Sequence, residues 1–187
     1  TTSANLEYQV WNRDYDKTTS DYTSHQVGIN LNKQYRVLGL GAGVGYHTRE
    51  FDQPGEDDLD AVSWHLSVTA GFPRTSFYLN LTGNLNDEGS NKEYYQGTRL
   101  TAGVNRTVLE KLDLGISGFL QNSDYENSAR EEDLWGIDGS VGYRINRIVS
   151  VGFNTGYEER DSNVAGNNYD NLTFLLNATL TYDTASR

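Results

Sequence analysis

Apolar and polar residues alternate along most of this chain, and the stretch from Arg36 to Tyr46 shows it most plainly. Leu38, Leu40, Ala42, Val44 and Tyr46 share one parity, while Gly39, Gly41, Gly43 and Gly45 share the other. Successive side chains of a strand point to opposite faces, so this segment predicts a strand with one apolar face and one nearly bare face. A closed barrel in a bilayer uses that combination, apolar outward and small or polar inward.

The same template predicts about ten strands in all. The first runs roughly from Leu6 to Asp14, with Leu6, Tyr8 and Val10 opposing Glu7, Gln9, Trp11 and Arg13. The second sets Val27, Ile29 and Leu31 against Gln26, Gly28 and Asn30, and a short turn near Lys33 and Gln34 leads into the glycine strand. The fourth carries Val62, Trp64, Leu66 and Val68 against Ser63, His65 and Ser67; the fifth carries Phe77, Leu79 and Leu81 against Tyr78, Asn80 and Thr82. Leu100, Ala102 and Val104 oppose Arg99, Thr101 and Gly103 in the sixth, and Leu112, Leu114 and Ile116 oppose Asp113, Gly115 and Ser117 in the seventh. Trp135, Ile137 and Val141 oppose Gly136, Asp138 and Arg144 in the eighth. Val149, Val151 and Phe153 belong to the ninth, and Leu172, Phe174, Leu176 and Tyr182 to the tenth.

Connections alternate in length. Short ones fall near Gln34, Pro73, Glu110 and Asn146; long ones fall at Tyr15 to Asp21, Asp52 to Asp58, Asp87 to Lys92, Asp124 to Asp133 and Asp161 to Asn168. Short turns on one side and long loops on the other are the asymmetry of outer-membrane barrels, and an even strand count puts both termini on the turn side, the periplasm. A hairpin repeat of roughly 36 residues reinforces the reading. Gly45-Tyr46-His47-Thr48-Arg49 precedes one long loop and Gly156-Tyr157-Glu158-Glu159-Arg160 precedes another, with Asn12 to Tyr15 a looser third copy.

A soluble barrel also alternates, with its apolar face inside. Three features favour the membrane. The stripe from Leu172 to Tyr182 is long enough for a tilted strand to cross a bilayer. Aromatics gather at both ends of the stripes: Phe72, Phe77, Tyr143 and Tyr182 toward the turns, Tyr46, Trp64, Trp135, Tyr157 and Phe174 toward the loops. The polar face mixes Ser, Thr, Asn and Gly with occasional charges rather than the Lys and Glu of a solvated surface. The expected fold is therefore an all-β, antiparallel up-and-down transmembrane β-barrel, with residues 1–187 as one domain and membership of a larger barrel as the alternative.

Composition narrows the function. The chain has 187 residues, a hydrophobic content of 36% and no segment long enough for a membrane helix, which leaves strand spanning open. A net charge of -11 argues against nucleic acid as a partner, and the lack of cysteine removes disulfides and thiolate metal sites. No signal peptide opens the chain at Thr1, so the sequence reads as a mature or trimmed form.

The segment Val151-Gly-Phe-Asn-Thr-Gly-Tyr-Glu-Glu-Arg160-Asp-Ser162, followed by Asn168-Tyr169-Asp170-Asn171 and a final alternating strand, resembles the last hairpin of the putative β-barrel porin 2-like proteins. The resemblance implies a Gram-negative outer membrane, contact with lipid and lipopolysaccharide, and a link with exopolysaccharide export, with polysaccharide or periplasmic export components as partners. Two features depart from that pattern: the family's barrels have more than ten strands as a rule, and Tyr182 is followed by Asp-Thr-Ala-Ser-Arg187 instead of ending the chain.

The candidate lumen-lining residues are Glu7, Trp11, Arg13, Arg49, His65, Tyr78, Arg99, Asp113, Asp138, Arg144, Glu158 and Arg160. Inward Arg13, Arg49, Arg99, Arg144 and Arg160 are expected to pair with Glu7, Asp113, Asp138 and Glu158, because sheltered charges need partners. Bulky Trp11, Tyr78 and Phe119 would fill a narrow interior. That interior is either plugged, leaving a structural or binding barrel, or a polar track for a small solute or sugar chain. An enzyme would need a histidine paired with a carboxylate at the loop rim, and His47, near Glu50 and Asp52, is the sole plausible base; His25 has the outward parity and His65 the inward. No Ser-His-acid constellation is recognisable, so no catalytic residue is assigned. Asp57, Asp58 and Asp60 cluster without EF-hand spacing and read as a solvated loop, so neither metal nor cofactor is expected. The Asn-x-Thr sequences at Asn80, Asn171 and Asn177 fall in mid-strand and follow from the alternation.

Overall fold

A computed structural model of the chain describes residues 1–14, 21–52, 58–87, 94–126 and 128–181. It contains ten strands: β1 (Thr2–Arg13), β2 (Tyr22–Gln34), β3 (Leu38–Phe51), β4 (Leu59–Gly71), β5 (Thr75–Asp87), β6 (Tyr94–Val108), β7 (Leu112–Tyr125), β8 (Glu131–Arg144), β9 (Val149–Ser162) and β10 (Tyr169–Leu180). They form one antiparallel sheet in sequence order, each paired with its chain neighbours. Lengths of 12 to 15 residues exceed the ~9–11 that a tilted strand needs to cross a bilayer. β1 pairs with β2 and β10 with β9, so the outer edge of each stands open and the sheet is not closed.

The ladders set the tilt. A line perpendicular to the strands, started at Thr2 at the turn end of β1, passes through Lys33, Leu40, Val68, Leu79, Ala102, Gly118, Ile137 and Tyr157. It reaches β10 at Leu172, well above the turn end at Leu180. With about 3.3 Å of rise per residue and about 4.8 Å between strands, that climb gives a tilt of roughly 30°, near that of closed barrels.

Burial is inverted relative to a water-soluble protein. The large hydrophobic residues that are buried, among those described, are Tyr22, Tyr94 and Tyr125, all at loop-side strand ends. The apolar stripes face out: Leu6 is 81% exposed, Ile137 47% and Leu176 79%. On β3 the exposed residues Val44 and Tyr46 alternate with the buried Gly45, His47 and Arg49. The sheltered face is thus the polar one, as expected for a sheet solvated by lipid on its outside.

Side-chain bulk on the sheltered face is accommodated by glycine. A Cβ at Gly43 would strike the His65 ring, one at Gly103 the Tyr78 ring and one at Gly136 the Phe119 ring. The apolar face repeats the device once, with the Trp64 indole lying across Gly83. Aromatic pairs brace that face at both ends. Phe72 and Phe77 meet edge to face at 6.3 Å beside the turns, and Trp135 and Tyr157 meet at 5.4 Å toward the loops.

Several boundaries differ from the sequence expectation. β1 begins at Thr2 rather than Leu6, because its ladder with β2 continues to Lys33. β2 runs through Gln34, and the turn falls at 35–37, where Tyr35 N donates to Leu38 O at 2.8 Å. The charged loop expected over Asp124 to Asp133 is shorter, because β7 runs through Tyr125 and β8 starts at Glu131: the β7–β8 ladder extends to Asp124 opposite Glu131. Its end is held by the Arg130 guanidinium, 4.1 Å from the centroid of the Tyr125 ring. The short connection after β6 turns with Leu109 and Glu110 both in the left-handed region (φ 53° and 60°), and the Asn146 carboxamide oxygen caps the β8–β9 turn by accepting from Ile148 N and Val149 N, each at 2.8 Å. The long connections expected after Tyr15, Asp52 and Asp87 lie, apart from their ends, outside the described residues, as does Tyr182.

The inverted faces give a direct expectation. Ile137→Arg, on the exposed apolar parity at mid-strand, should destabilise the protein by about 2–4 kcal/mol in a bilayer. Ser117→Arg, on the sheltered parity opposite Asp138, should leave the urea-unfolding midpoint close to that of the parent protein. Equal losses from the two substitutions would contradict the assignment of faces.

Candidate functional site

The sheltered face holds a series of cavities rather than one site. At the turn end a cavity of about 600 Å³ is lined by Arg74, Arg106, Asp113, Arg144, Asn154 and Asn177 among others. Midway along, one of about 380 Å³ includes Glu7, Gln9, Gln26, His65 and Asn84, and another of about 490 Å³ includes Phe119, Asp138, Asn154, Glu158 and Leu175. Toward the loops, Trp11, Arg13, Tyr22, His47, Arg49 and Asn86 line about 460 Å³. The candidate residues Glu7, Trp11, Arg13, Arg49, His65, Asp113, Asp138, Arg144 and Glu158 are therefore spread over four cavities. Tyr78 lies across Gly103, Arg99 over Phe119 and Arg160 over Tyr169.

The described contacts of Arg49, Arg99 and Arg160 include aromatic rings as well as polar groups. Arg49 is buried between the Tyr22 and Tyr94 rings, 4.1 and 4.7 Å from their centroids, and its Nε donates to Ser24 Oγ at 3.4 Å. Arg99 stacks on Phe119 at 3.7 Å and donates to Gln121 Oε1 at 2.8 Å. Arg160 lies over Tyr169 at 4.7 Å and reaches Glu132 at 3.6 Å, not the neighbouring Glu158, which accepts from the Tyr169 hydroxyl. Glu7 accepts from Gln9, and Asp113 from the Thr107 hydroxyl at 2.7 Å. A guanidinium spreads its charge over a plane and is weakly hydrated, so an aromatic face shelters it with less desolvation penalty than an ammonium would suffer.

Glu132 is the centre of the loop-side rim on β7 to β9. It is 5% exposed and accepts from Arg130 Nε at 2.8 Å, from the Tyr125 hydroxyl at 3.2 Å and from Asn167 at 3.5 Å. A buried carboxylate with that many donors holds three strand ends together. Glu132, Arg130 and the tyrosines were not singled out from sequence. Their signal was an aromatic or charged residue of inward parity directly beside a long connection.

The three histidines serve different neighbours. His47 lies against Trp11 with ring centroids 5.1 Å apart, and Glu50 has the opposite parity on β3. His25 is on the apolar face, where its Nδ1 and the Tyr8 hydroxyl are 2.8 Å apart. His65 crosses Gly43. Asp58 and Asp60 are described and Asp57 is not; among the described residues no three carboxylates or imidazoles are placed to hold a metal ion.

Charge is segregated along the strand direction. The turn end carries Lys33, Arg36, Arg74, Arg106, Lys111, Arg144 and Arg147, all exposed, against Glu110 and Asp113. The loop end carries Asp14, Asp21, Glu50, Asp52, Asp58, Asp60, Asp87, Asp124, Glu126, Glu131, Glu132, Asp133, Glu158, Glu159, Asp161 and Asp170. Its arginines, where the contacts are described, are folded against rings and Glu132. The turn end is thus net positive and the loop end net negative.

A family model described as putative beta-barrel porin 2 matches residues 2–182. No curated protein matches. Among solved structures, the chain is similar to a loop L8 deletion mutant of OmpT, an outer membrane protein of Vibrio cholerae, with a TM-score of 0.60 at 12% identity; the match covers 92% of this chain and 62% of that one. It is also similar to OccK2 (OpdF) of Pseudomonas aeruginosa, with a TM-score of 0.58 at 12% identity over 93% of this chain and 54% of that one. In vitro folded OmpT in its trimer form gives 0.54 at 13% identity, covering 98% and 85%. At these identities the likeness is one of fold, and the chain spans less than two thirds of the length of the first two neighbours.

The Arg49 sandwich is testable by itself. Arg49→Ala should cost about 2 kcal/mol, the value of a desolvated cation–π contact. A cycle with Tyr94→Ala should return a coupling of about 1–2 kcal/mol in urea unfolding. Strictly additive losses would show that the ring and the guanidinium do not interact.

Proposed function

Because the chain belongs to the putative beta-barrel porin 2 family, a family of the Gram-negative outer membrane, we propose that its polar face lines a narrow water-filled path for small polar solutes. The observation that carries this reading is the inverted sheet, whose sheltered face holds cavities from the turn end to the loop end. We read the protein as passive and non-enzymatic. Lipid covers the apolar stripes, and the acidic loop end faces the lipopolysaccharide side. Export of a sugar chain is the finer form of the proposal: Asn, Ser and Thr side chains interspersed with rings offer what a glycan's hydroxyls and faces require.

In hydrocarbon every backbone polar group needs a partner, so the open edges of β1 and β10 must be paired in the membrane. The greater length of the neighbours supports further strands between these edges, in a barrel larger than ten strands. A second reading keeps the barrel plugged and assigns it a structural or partner-binding role. It is favoured by the way Arg99 lies on Phe119, and Tyr78 across Gly103, in the path.

Single-channel conductance in a planar bilayer separates the two, with insertion confirmed by a heat-dependent gel shift. The pore reading expects discrete steps that grow when Phe119 is replaced by Ala. Confirmed insertion without steps would overturn it in favour of the plugged barrel.

A further inference from the structure

We propose that Arg106 holds the phosphodiester of an anionic glycerophospholipid against the outer surface of the sheet, at the turn-side interface of the bilayer. The inference rests on the reading of the apolar parity as lipid-facing, and it names the class of lipid that this part of the surface selects.

Arg106 interrupts an apolar stripe. It shares the outward parity of Leu100, Ala102 and Val104 on β6, Val108 follows it, and its ladder partners are Thr75 on β5 and Leu114 on β7. Among the described strand residues Lys33 is the other cation of outward parity, and its Nζ lies over the Tyr35 ring at 5.6 Å. Arg106 is exposed, and its guanidinium has neither an ion pair nor a ring contact among the described residues. The carboxylates nearest in the chain are turned elsewhere. Glu110 meets Arg74 at 3.4 Å, and Asp113, of inward parity, accepts from the Thr107 hydroxyl at 2.7 Å. A cation on a lipid-facing stripe is costly unless it reaches the interface and a counter-charge there. Here the lipid phosphate is the counter-charge in reach.

The depth of Arg106 suits a headgroup. It stands two residues above the turn end of β6, about 7 Å of strand. Exposed Phe72 and Phe77 on one side and Tyr143 on the other mark the interface at the same end. The aliphatic stem can lie along the valines while the fork reaches out to the headgroup. A guanidinium donates to two phosphate oxygens at once. Its surroundings prefer a net negative lipid to a zwitterionic one. Arg74, Lys111, Arg144 and Arg147 stand exposed in the adjoining turns and strand ends, against Glu110 and Asp113, so they repel a headgroup ammonium. At the loop end the outward-parity charges are carboxylates, among them Glu50, Asp60, Asp133 and Glu159, so the selection belongs to the turn side.

The test reads which lipid touches this spot. Phe77 lies opposite Val104, one row from Arg106, and Phe77→Trp in a background of Trp11→Phe, Trp64→Phe and Trp135→Phe places a single indole there. The protein is reconstituted in phosphatidylcholine vesicles, and quenching by acyl-brominated phosphatidylglycerol is compared with quenching by acyl-brominated phosphatidylcholine. Phosphatidylglycerol should be preferred about fivefold, as expected for one interfacial charge pair. Arg106→Gln, and Arg106→Leu, which completes the apolar stripe, should bring the ratio to about one. Arg144→Gln removes the same charge from the inward parity and should leave the ratio unchanged. So should inorganic phosphate supplied in place of chloride at equal ionic strength. A heat-dependent gel shift checks each variant. If the background fails it, the difference made by Phe77→Trp among the native tryptophans gives the same ratio. Equal quenching by the two lipids, a preference that survives loss of Arg106, an equal loss from Arg144→Gln or displacement by inorganic phosphate would overturn the lipid site while leaving the membrane reading intact. Quenching by neither lipid would sink both.

Discussion

A peptide group in hydrocarbon has no water to bond with. An unpaired N–H or C=O there costs several kcal/mol, and a strand crossing a bilayer carries one of each at nearly every residue. The long ladders of this sheet answer that constraint. β6 and β7 are paired from Tyr95 opposite Tyr125 down to Val108 opposite Leu112, and β2 and β3 from Tyr22 opposite Phe51 down to Gln34 opposite Gly39. Where a ladder stops early, other groups fill in. β4 and β5 part above Trp64 and Gly83, and there β6 reaches across: Gln96 Nε2 donates to Val62 O at 3.4 Å, and Tyr94 packs against Phe51 and Arg49. The edges of β1 and β10 are the places where the constraint is still open.

With the backbone satisfied by pairing, side chains divide by parity. Apolar groups gain nothing by turning inward when the outside is lipid, so Leu, Ile and Val face out and the polar set is left to fill the interior. That interior is crowded. Large rings are laid over glycines on the neighbouring strand, and arginines are laid over the rings, so bulk and charge are both absorbed without an apolar core. The loop end and the turn end then differ in kind. At the loops Arg49, Arg130 and Arg160 are fixed against tyrosines, and the last two also reach Glu132, which holds strand ends together. At the turns the cations stand exposed and are available to whatever approaches.

The alternation in Arg36 to Tyr46 made the architecture legible from sequence, because a period of two reports strand faces directly, and the alternating lengths of the connections made the up-and-down order legible. Strand ends were less so: Asp124 to Asp133 is charged and polar and reads as loop, yet its two ends are strand, held where Tyr125, Arg130 and Glu132 satisfy one another. Parity identified which residues share the sheltered face, but not which of them touch. Arg160 and Glu158 share a face two residues apart, yet the fold brings Arg160 to Glu132 on the adjacent strand. The segregation of charge was present in the sequence as well. It becomes visible when charges are grouped by turn and loop end rather than summed.

The central claim is that the apolar parity faces lipid and the polar parity faces an aqueous interior. Because the chain has no cysteine, single cysteines carrying a nitroxide can be placed along β8 from Trp135 to Tyr143 in the protein reconstituted in liposomes. Power saturation then measures collision with oxygen, which concentrates in lipid, and with a polar nickel chelate, which stays in water. The account predicts oxygen maxima at positions 135, 137, 139, 141 and 143, with the nickel signal favouring the alternate positions. Accessibility without that two-residue period, or with the phases exchanged, would contradict it.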